Sequence, residues 1–501
     1  MGKWGPLTAV SLGTFMLLVD VNIVTVAMPD MATSLKASFS SLQWVMDVYA
    51  LVLAALLLGA GGLADLFGRR VVYVAGLVTF AASSLACGLA PNAGALIAAR
   101  GVQGAGAAMM FATTVALVNA SYSGRDRGVA FGVWGSVSGA ASGIGPILGG
   151  LLTEQFGWRS TFLVNLPVSV VAVALTLRVV TESRNPAARR IDLPGMALFA
   201  AAAGAAVYGL TRAGEDGWAS PAALGMFAVG AAALAAFVAV EFRSPHPILD
   251  LRLFRSPSFT GIMIASLAMS GAAFAYLMYT SLWLQSVQGL GAIEAGLVIL
   301  PIPAVSFVVS WLSGRHLHAV SPRWTVGLGM LLIGGGVMAQ AVLTQRSGWS
   351  AVIPGFAIVG AGVGVVMPNV TAAGMASVSP ERGGMAAGAI STCRQLGFAA
   401  CVAVFGTVFR TTLEGSLDDK VPDPDATTTA LTSGKAAQVM AQSPDLSSTV
   451  HAAFASGLNA TFLTAGALGL AAAAAALILI RRPAPAHSPV QESRQAVLAD
   501  S

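Results

Sequence analysis

Apolar residues run through this chain in long unbroken stretches, and polar residues are confined to short segments between them. Fourteen such stretches can be marked, at about 7–28, 44–64, 71–90, 95–118, 129–153, 160–180, 193–211, 220–242, 259–283, 293–313, 325–344, 351–374, 387–409 and 454–480. As a helix, each is long enough to cross a hydrocarbon core of roughly 30 Å. The pattern predicts an all-α polytopic membrane protein with 14 transmembrane helices. Two segments depart from the short connections. Residues 410–453 are polar and hold the acid-rich run Asp418–Asp425, which predicts a partly flexible outer loop. Residues 483–501, with Pro-Ala-Pro-Ala, predict a disordered tail.

Faint repetition divides the chain. Gly314–Arg323 takes, in the second half, the place that Gly61–Arg70 takes in the first, keeping the leading glycine and basic ends but no acid. The expected organisation is a six-helix bundle over 1–180, a two-helix insert over 181–250 and a second six-helix bundle over 251–482. Repeated six-span halves with a site at their interface are one transporter plan.

Composition agrees with the pattern. The chain is 56% hydrophobic and 10% charged, against about 25% charged in soluble proteins. An even number of spans puts both termini on one side. That side would carry 18 of the 27 lysines and arginines and the other side seven, so both termini are expected in the cytoplasm and the protein in the cell membrane. The first run is too long for a cleavable signal and lacks a small-residue cleavage site. The net charge of +5 is spread over short loops, which argues against nucleic acid as a partner. Cys87, Cys393 and Cys401 have no disulfide or metal spacing. There is no Walker lysine motif, nucleophile–base set or metal set. ATP drive, enzyme activity, cofactors and metals are therefore not expected. The partners left are small molecules, protons and the bilayer.

Charges inside spans are the candidate chemistry, because each is costly in hydrocarbon. Asp20 is the deepest acid, about thirteen residues into the first span. A carboxylate there is expensive unless a cation offsets it, so it is either a proton carrier or a structural acid locked to a neighbouring helix. Arg100 lies roughly 9 Å into the fourth span, where it either meets an acid or snorkels to the outer surface. Asp47 stands near the outer start of the second span, placed to pair with Arg100, to bind a cationic substrate or to sit among headgroups. Arg394 is a second cation, facing a cavity or lying near the cytoplasmic end of its helix.

The motifs around these residues resemble those of one family. Gly61-Gly62-Leu63-Ala64-Asp65-Leu66-Phe67-Gly68-Arg69-Arg70 resembles the loop between the second and third spans of the major facilitator superfamily. Leu18 to Pro29, with Asp20, Asn22 and Thr25, resembles the first span of its fourteen-span drug:proton antiporters, with Asn22 where threonine is usual and Thr25 where asparagine is usual. Arg100-Gly101-Val102-Gln103-Gly104-Ala105-Gly106 resembles the fourth-span motif whose arginine is associated with proton coupling. Gly139, Gly143, Gly145, Pro146, Gly149 and Gly150 fall in a run similar to the antiporter motif of the drug-exporter branches. There, glycines at four-residue spacing permit close helix approach and proline invites a kink. Weaker matches are Trp158–Pro167, Asp250–Arg255, Gly364–Asn369 and Arg394–Gly397. Together they cover nearly the whole chain.

The resemblance implies proton-driven export of drugs, antibiotics or other amphipathic molecules by a monomer using alternating access. Asp20, Arg100 and Asp47 would couple protons, and Gly61, Asp65, Gly68, Arg69 and Arg70 would hold one conformation. Asp65 is expected against the start of the thirteenth span near Gly383-Gly384. Asn22, Gln103, Tyr276, Tyr279 and Arg394 are candidate cavity residues, with Phe15, Phe274, Met278 and Trp283 as possible apolar lining. Proton-coupled uptake on the same fold is the alternative; a membrane-embedded enzyme or sensor has no supporting motif.

Overall fold

The computed structural model of the protein describes residues 2–481 apart from Ser38, 185–191, His246, 318–319, 379–382 and Asp419. The expected tail therefore lies outside the described residues. The elements are α1 Gly5–Leu35, α2 Phe39–Phe67, α3 Arg69–Gly88, α4 Ala93–Ser121, α5 Gly124–Phe156, α6 Ser160–Leu163, α7 Asn165–Val179, α8 Leu193–Asp216, α9 Pro221–Arg243, α10 Pro257–Ser270, α11 Leu277–Ser286, α12 Ala292–Ile299, α13 Pro301–His316, α14 Pro322–Met338, α15 Ile353–Ala376, α16 Gly383–Leu417, α17 Pro424–Thr432, α18 Ala436–Gln442 and α19 Ser447–Leu479. No β-strand occurs among the described residues.

Helix falls at every apolar stretch, and twelve helical segments among the described residues are long and apolar enough to cross a membrane. The other two expected stretches are α5, of 33 residues, and α14, of 17. Several boundaries differ from the sequence reading. The sixth stretch is split into α6 and α7, the ninth contains a π turn at Gly271–Ala275, and the tenth divides at Leu300 before Pro301. Pro301 brings no N–H to the preceding turn. The segment expected as a flexible outer loop over 410–453 is mostly helical. There α16 runs on to Leu417, α17 and α18 follow, and α19 begins at Ser447. Asp423 caps α17 by accepting from Ala426 N–H at 2.9 Å, Pro424 fills the first position, where no donor is needed, and Arg410 pairs with Asp425 at 2.9 Å.

Packing separates two groups. In the first, α1 meets α5 and α7, α2 meets α4, and α3 meets α4 and α7. In the second, α14 meets α15 and α19, α13 meets α15, and α10 and α19 meet α16. Helices α8 and α9 pack on each other, and α8 rests on α2 and α16. The two groups join through α5–α13 and α2–α16.

One face gathers the α2–α3 and α4–α5 connections, the ends of α13 and α15, the starts of α14 and α16 and both described chain ends. There Lys3 pairs with Asp126 at 2.7 Å and Arg481 N–H donates to Ser258 Oγ. Trp4 stacks on Tyr122, whose hydroxyl accepts from Leu7 N–H and donates to Lys3 O. Burial pushes the Tyr122 phenol above its ordinary range, which keeps that proton in place. Because Arg69, Arg70, Arg127 and Arg315 also lie here, it is called the basic face below.

Candidate functional site: a buried ion pair and an inter-bundle latch

Asp20 and Arg100 are brought together at the centre of the first bundle. Asp20 is on α1, fifteen residues from its start, or roughly 22 Å along a helix. Arg100 Nη1 donates to Asp20 Oδ2 at 2.7 Å, and both side chains are 0% exposed. Arg100 therefore does not snorkel. Its Nε donates to the Val45 carbonyl at 3.1 Å and its Nη1 also to Gln103 Oε1 at 2.7 Å. The guanidinium lies 4.1 Å from the Tyr49 ring centroid and 6.0 Å from that of Phe162. Gln103 sits three residues after Arg100, on the same helix face. Its Nε2 donates to Asp20 Oδ1 at 3.1 Å and to Ser84 Oγ at 2.8 Å. Asn165, the first residue of α7, donates to Asp20 Oδ1 at 2.7 Å. Five elements thus meet around the pair, with α4 and α7 bonding the carboxylate itself, and Arg100 Nη2 and the Tyr49 hydroxyl are left without a hydrogen-bond partner.

Asp47 is not the acid that meets Arg100. Val45 and Tyr49 turn their groups to the guanidinium, and Asp47, two residues from each, lies about 200° round α2 from both. It is half-buried. Asn22 is half-buried too, and its side-chain amide donates to the Leu18 carbonyl at 2.7 Å.

The loop that opens α3 is held by charge at both ends. Gly68 has φ +109°, a left-handed backbone that favours glycine, and it lies against the Glu182 carboxylate. Glu182 accepts from Arg70 N–H at 3.0 Å and Val71 N–H at 3.1 Å, an anion on the N-terminus of α3. Arg70 Nη1 donates to the Val180 carbonyl. Asp65 and Arg69 are both buried and pair at 3.0 Å. Asp65 Oδ2 accepts from Met385 N–H at 3.1 Å. Met385 is the third residue of α16, so the acid from the first bundle caps a helix of the second, as the sequence suggested. Gly61 ends the apolar part of α2 and is buried.

Small residues close the same face. A Cβ on Gly132 would lie 2.7 Å from the Ser310 carbonyl, and one on Gly314 2.5 Å from the Gly128 carbonyl. Ser136 Oγ donates to the Phe307 carbonyl at 2.7 Å. Here α5 and α13 touch backbone to backbone, which only residues without bulk allow. Further along α5, Gly145 and Gly149 face α1 instead. Their added Cβ atoms would meet Asn22 Cβ at 2.6 Å and the Ile23 carbonyl at 3.0 Å, while Gly150 faces Ile293. The contacts of Gly139, Gly143 and Pro146 lie outside the described residues; all three are helical.

In the second bundle, Tyr276 and Tyr279 serve packing rather than a cavity. Tyr276 is fully buried, near Gln340 Nε2 at 3.4 Å and edge-on to Phe462. Tyr279 donates to the Val402 carbonyl at 2.7 Å and stacks on Phe409. Met278 is 64% exposed and Trp283 is buried. Arg394 is half-buried and eleven residues inside α16, so it is not at the end of its helix.

Comparison with known proteins places this arrangement. The model of the family described as Major Facilitator Superfamily matches residues 10–401. The chain belongs to the major facilitator superfamily. Three relatives are the multidrug resistance protein Stp of Mycobacterium tuberculosis, the tetracenomycin C resistance and export protein of Streptomyces glaucescens and the multidrug efflux pump LfrA of Mycolicibacterium smegmatis. Stp is 38% identical over 425 residues, 83% of this chain and 79% of its own. The tetracenomycin protein is 31% identical over 489 residues, 95% and 91% of the two chains. LfrA is 32% identical over 489, 96% of each. Two solved structures share the fold. The human organic anion transporter MFSD10 has TM-score 0.63 at 15% identity, covering 95% of this chain and 100% of its own. The proton:xylose symporter XylE has TM-score 0.59 at 12% identity, covering 96% of each. As a superfamily member, this multi-pass membrane protein is a small-molecule transporter and not an enzyme.

Of the residues singled out in the sequence, the structure brings together Asp20 and Arg100 and sets Asp65 against α16, while Gln103, expected to line a cavity, is fully buried and bonded to that pair; Asn165, Ser84, Glu182 and the Gly128–Gly132–Gly314 contact were not singled out. Asn165 was within reach, since it opens the apolar run of α7. Ser84 and Glu182 carry no local pattern.

The latch gives a direct prediction. Asp65→Asn keeps size but removes the anion from the α16 N-terminus. A charge-assisted hydrogen bond contributes about 1.5–3 kcal/mol, so the closed arrangement should weaken roughly ten- to hundredfold. Transport should fall while the protein stays inserted at normal levels; wild-type transport by a well-expressed variant contradicts the latch.

Proposed function

We propose that the protein is a proton-driven exporter of drugs, antibiotics or other amphipathic compounds. It would work as a monomer with fourteen crossings, the two bundles rocking about a central cavity. The α8–α9 pair is read as an insert, both termini as cytoplasmic and the basic face as the inner face. The excess of lysine and arginine on that face supports the orientation, and the export relatives support the direction and substrate class.

The observation that carries the proton reading is the fully buried Asp20–Arg100 pair. Breaking a buried pair by neutralising one partner costs about 3–5 kcal/mol, because the other charge is stranded. Protonation of Asp20 therefore cannot be silent. It frees Arg100, and it changes what Gln103 and Asn165 can donate to. A change of that size at a junction of five elements can bias a conformational equilibrium, and by linkage the conformation biases proton affinity. With the basic face inside, the Asp65–Met385 and α5–α13 contacts are the closure on the cytoplasmic side. Opening there would require both to part.

The glycine run supports a moving α5 in close contact with α1. Gly145→Leu would overpack against Asn22, at a cost of about 1–3 kcal/mol. It should abolish export with normal membrane expression; normal pumping would make the run mere packing slack. The test of the function itself is a drug-susceptibility panel in a pump-deficient host, with and without an uncoupler. Resistance to at least one compound, lost on uncoupling, is expected. Accumulation driven inward instead would favour proton-coupled uptake.

A further inference from the structure

Arg100 and Arg394 both lie within helices long and apolar enough to cross the membrane, and the structure treats them differently. Arg100 has Asp20, a carbonyl, Gln103 and two aromatic faces. Arg394, about 16 Å along α16 from Gly383, makes no hydrogen bond, ion pair or ring contact among the described residues. A guanidinium stays charged under all ordinary conditions. At that depth it disfavours the bilayer by about 2.5–3.5 kcal/mol, so its compensation comes from water or from something bound.

The direction it faces follows from its neighbours. Cys393 Sγ lies 3.9 Å from Met263 Sδ, Gly397 abuts the Leu267 backbone and Cys401 abuts Gly271, so this row packs on α10 and its π turn. Gly388 packs on α2 at Leu57. Met385 Sδ accepts from Asp250 N–H and marks the side of α16 toward the α9–α10 linker. At about 100° per residue, Arg394 is about 180° from Met385 and between the α10 row and the α2 contact. Since α10 belongs to one bundle and α2 to the other, the guanidinium faces the cleft between them. Phe398, one turn on, lies on the same face and is 41% exposed.

We propose that Arg394 is the recognition group for an acidic substrate. The exported compound is then an amphipathic organic anion, its carboxylate or phenolate held by the guanidinium fork and its apolar body against Phe398. The fork geometry matches such an oxyanion through paired, charge-assisted hydrogen bonds. The acid nearest the centre of the first bundle, Asp20, is already committed to Arg100, so it is not the group that would select cations. The inference rests on reading the protein as a small-molecule exporter and narrows its substrates.

The test uses two probes matched except in charge, pyrenebutyrate and its trimethylammonium analogue. Binding is read as tryptophan-to-pyrene energy transfer in nanodiscs of zwitterionic lipid, with empty nanodiscs as blank. Wild type should prefer the carboxylate roughly tenfold, a typical effect of one charge-assisted contact. Arg394→Gln should lose that preference yet still bind the cationic probe, which shows that it is folded. Arg394→Lys should keep part of it. Equal binding of both probes by wild type overturns the proposal, as does a preference that survives in Arg394→Gln or an equal loss of both probes in that variant. A wild type that prefers the anion yet confers no resistance would contradict the export reading and leave this assignment standing.

Discussion

Cells carrying Asp20→Asn should be as drug-sensitive as cells with no exporter, although the protein reaches the membrane in normal amount. Asparagine keeps the volume and one acceptor oxygen for Asn165 and Gln103. It removes the countercharge from an arginine that is 0% exposed, which strands it at a cost of about 3–5 kcal/mol. The variant also cannot exchange a proton at that position, so it resembles the protonated form permanently. Loss of folding and loss of coupling are separated by the Asp20→Asn, Arg100→Gln double variant. Removing both charges should restore stability relative to the single variant, because neither charge is left unpaired, and export should stay lost. Wild-type resistance from either variant would show the pair to be structural only.

Gly132→Leu and Gly314→Leu should each hold the basic face open. A leucine at either position would drive side-chain atoms into the facing backbone, where even a Cβ is 2.5–2.7 Å from a carbonyl oxygen. Overpacking of this kind costs about 1–3 kcal/mol, equivalent to roughly five- to 150-fold in a two-state equilibrium. Spin labels on the basic-face ends of α5 and α13 should report a longer mean distance in both variants, and transport should fall about tenfold or more. An unchanged distance distribution with normal export would mean that the crossing does not open in the cycle.

The sequence was informative where one residue type has one physical use. Long apolar runs predicted the helices. An acid and an arginine inside such runs have few ways to be tolerated, so Asp20 and Arg100 stood out. Gly68 stood out only as part of the loop motif, and the structure supplies its reason, a φ of +109°. Asp65 was expected at the start of α16, and Met385 N–H is there. What was not legible depends on who is opposite. Asn165 and Ser84 matter only because α7 and α3 cross α1 at the height of Asp20. Gly128 and Gly314, 186 positions apart in sequence, form a contact that no local spacing announces. Tyr276 and Tyr279 look like cavity residues by type, yet their hydroxyls are turned to Gln340 and the Val402 carbonyl. The polar segment holding the acid run was expected to be a partly flexible loop; its Asp423-Pro424 pair in fact caps and opens α17.

The central claim is that proton movement and export share the Asp20–Arg100 pair. It is tested most directly by acid-loaded inside-out vesicles, to which a compound from the susceptibility panel is added while a dye reports lumenal pH. Wild-type vesicles should alkalinise as the compound enters the lumen, and Asp20→Asn vesicles should show no change above protein-free controls. Equal proton release from both, or export by wild type with no proton release, would contradict the account.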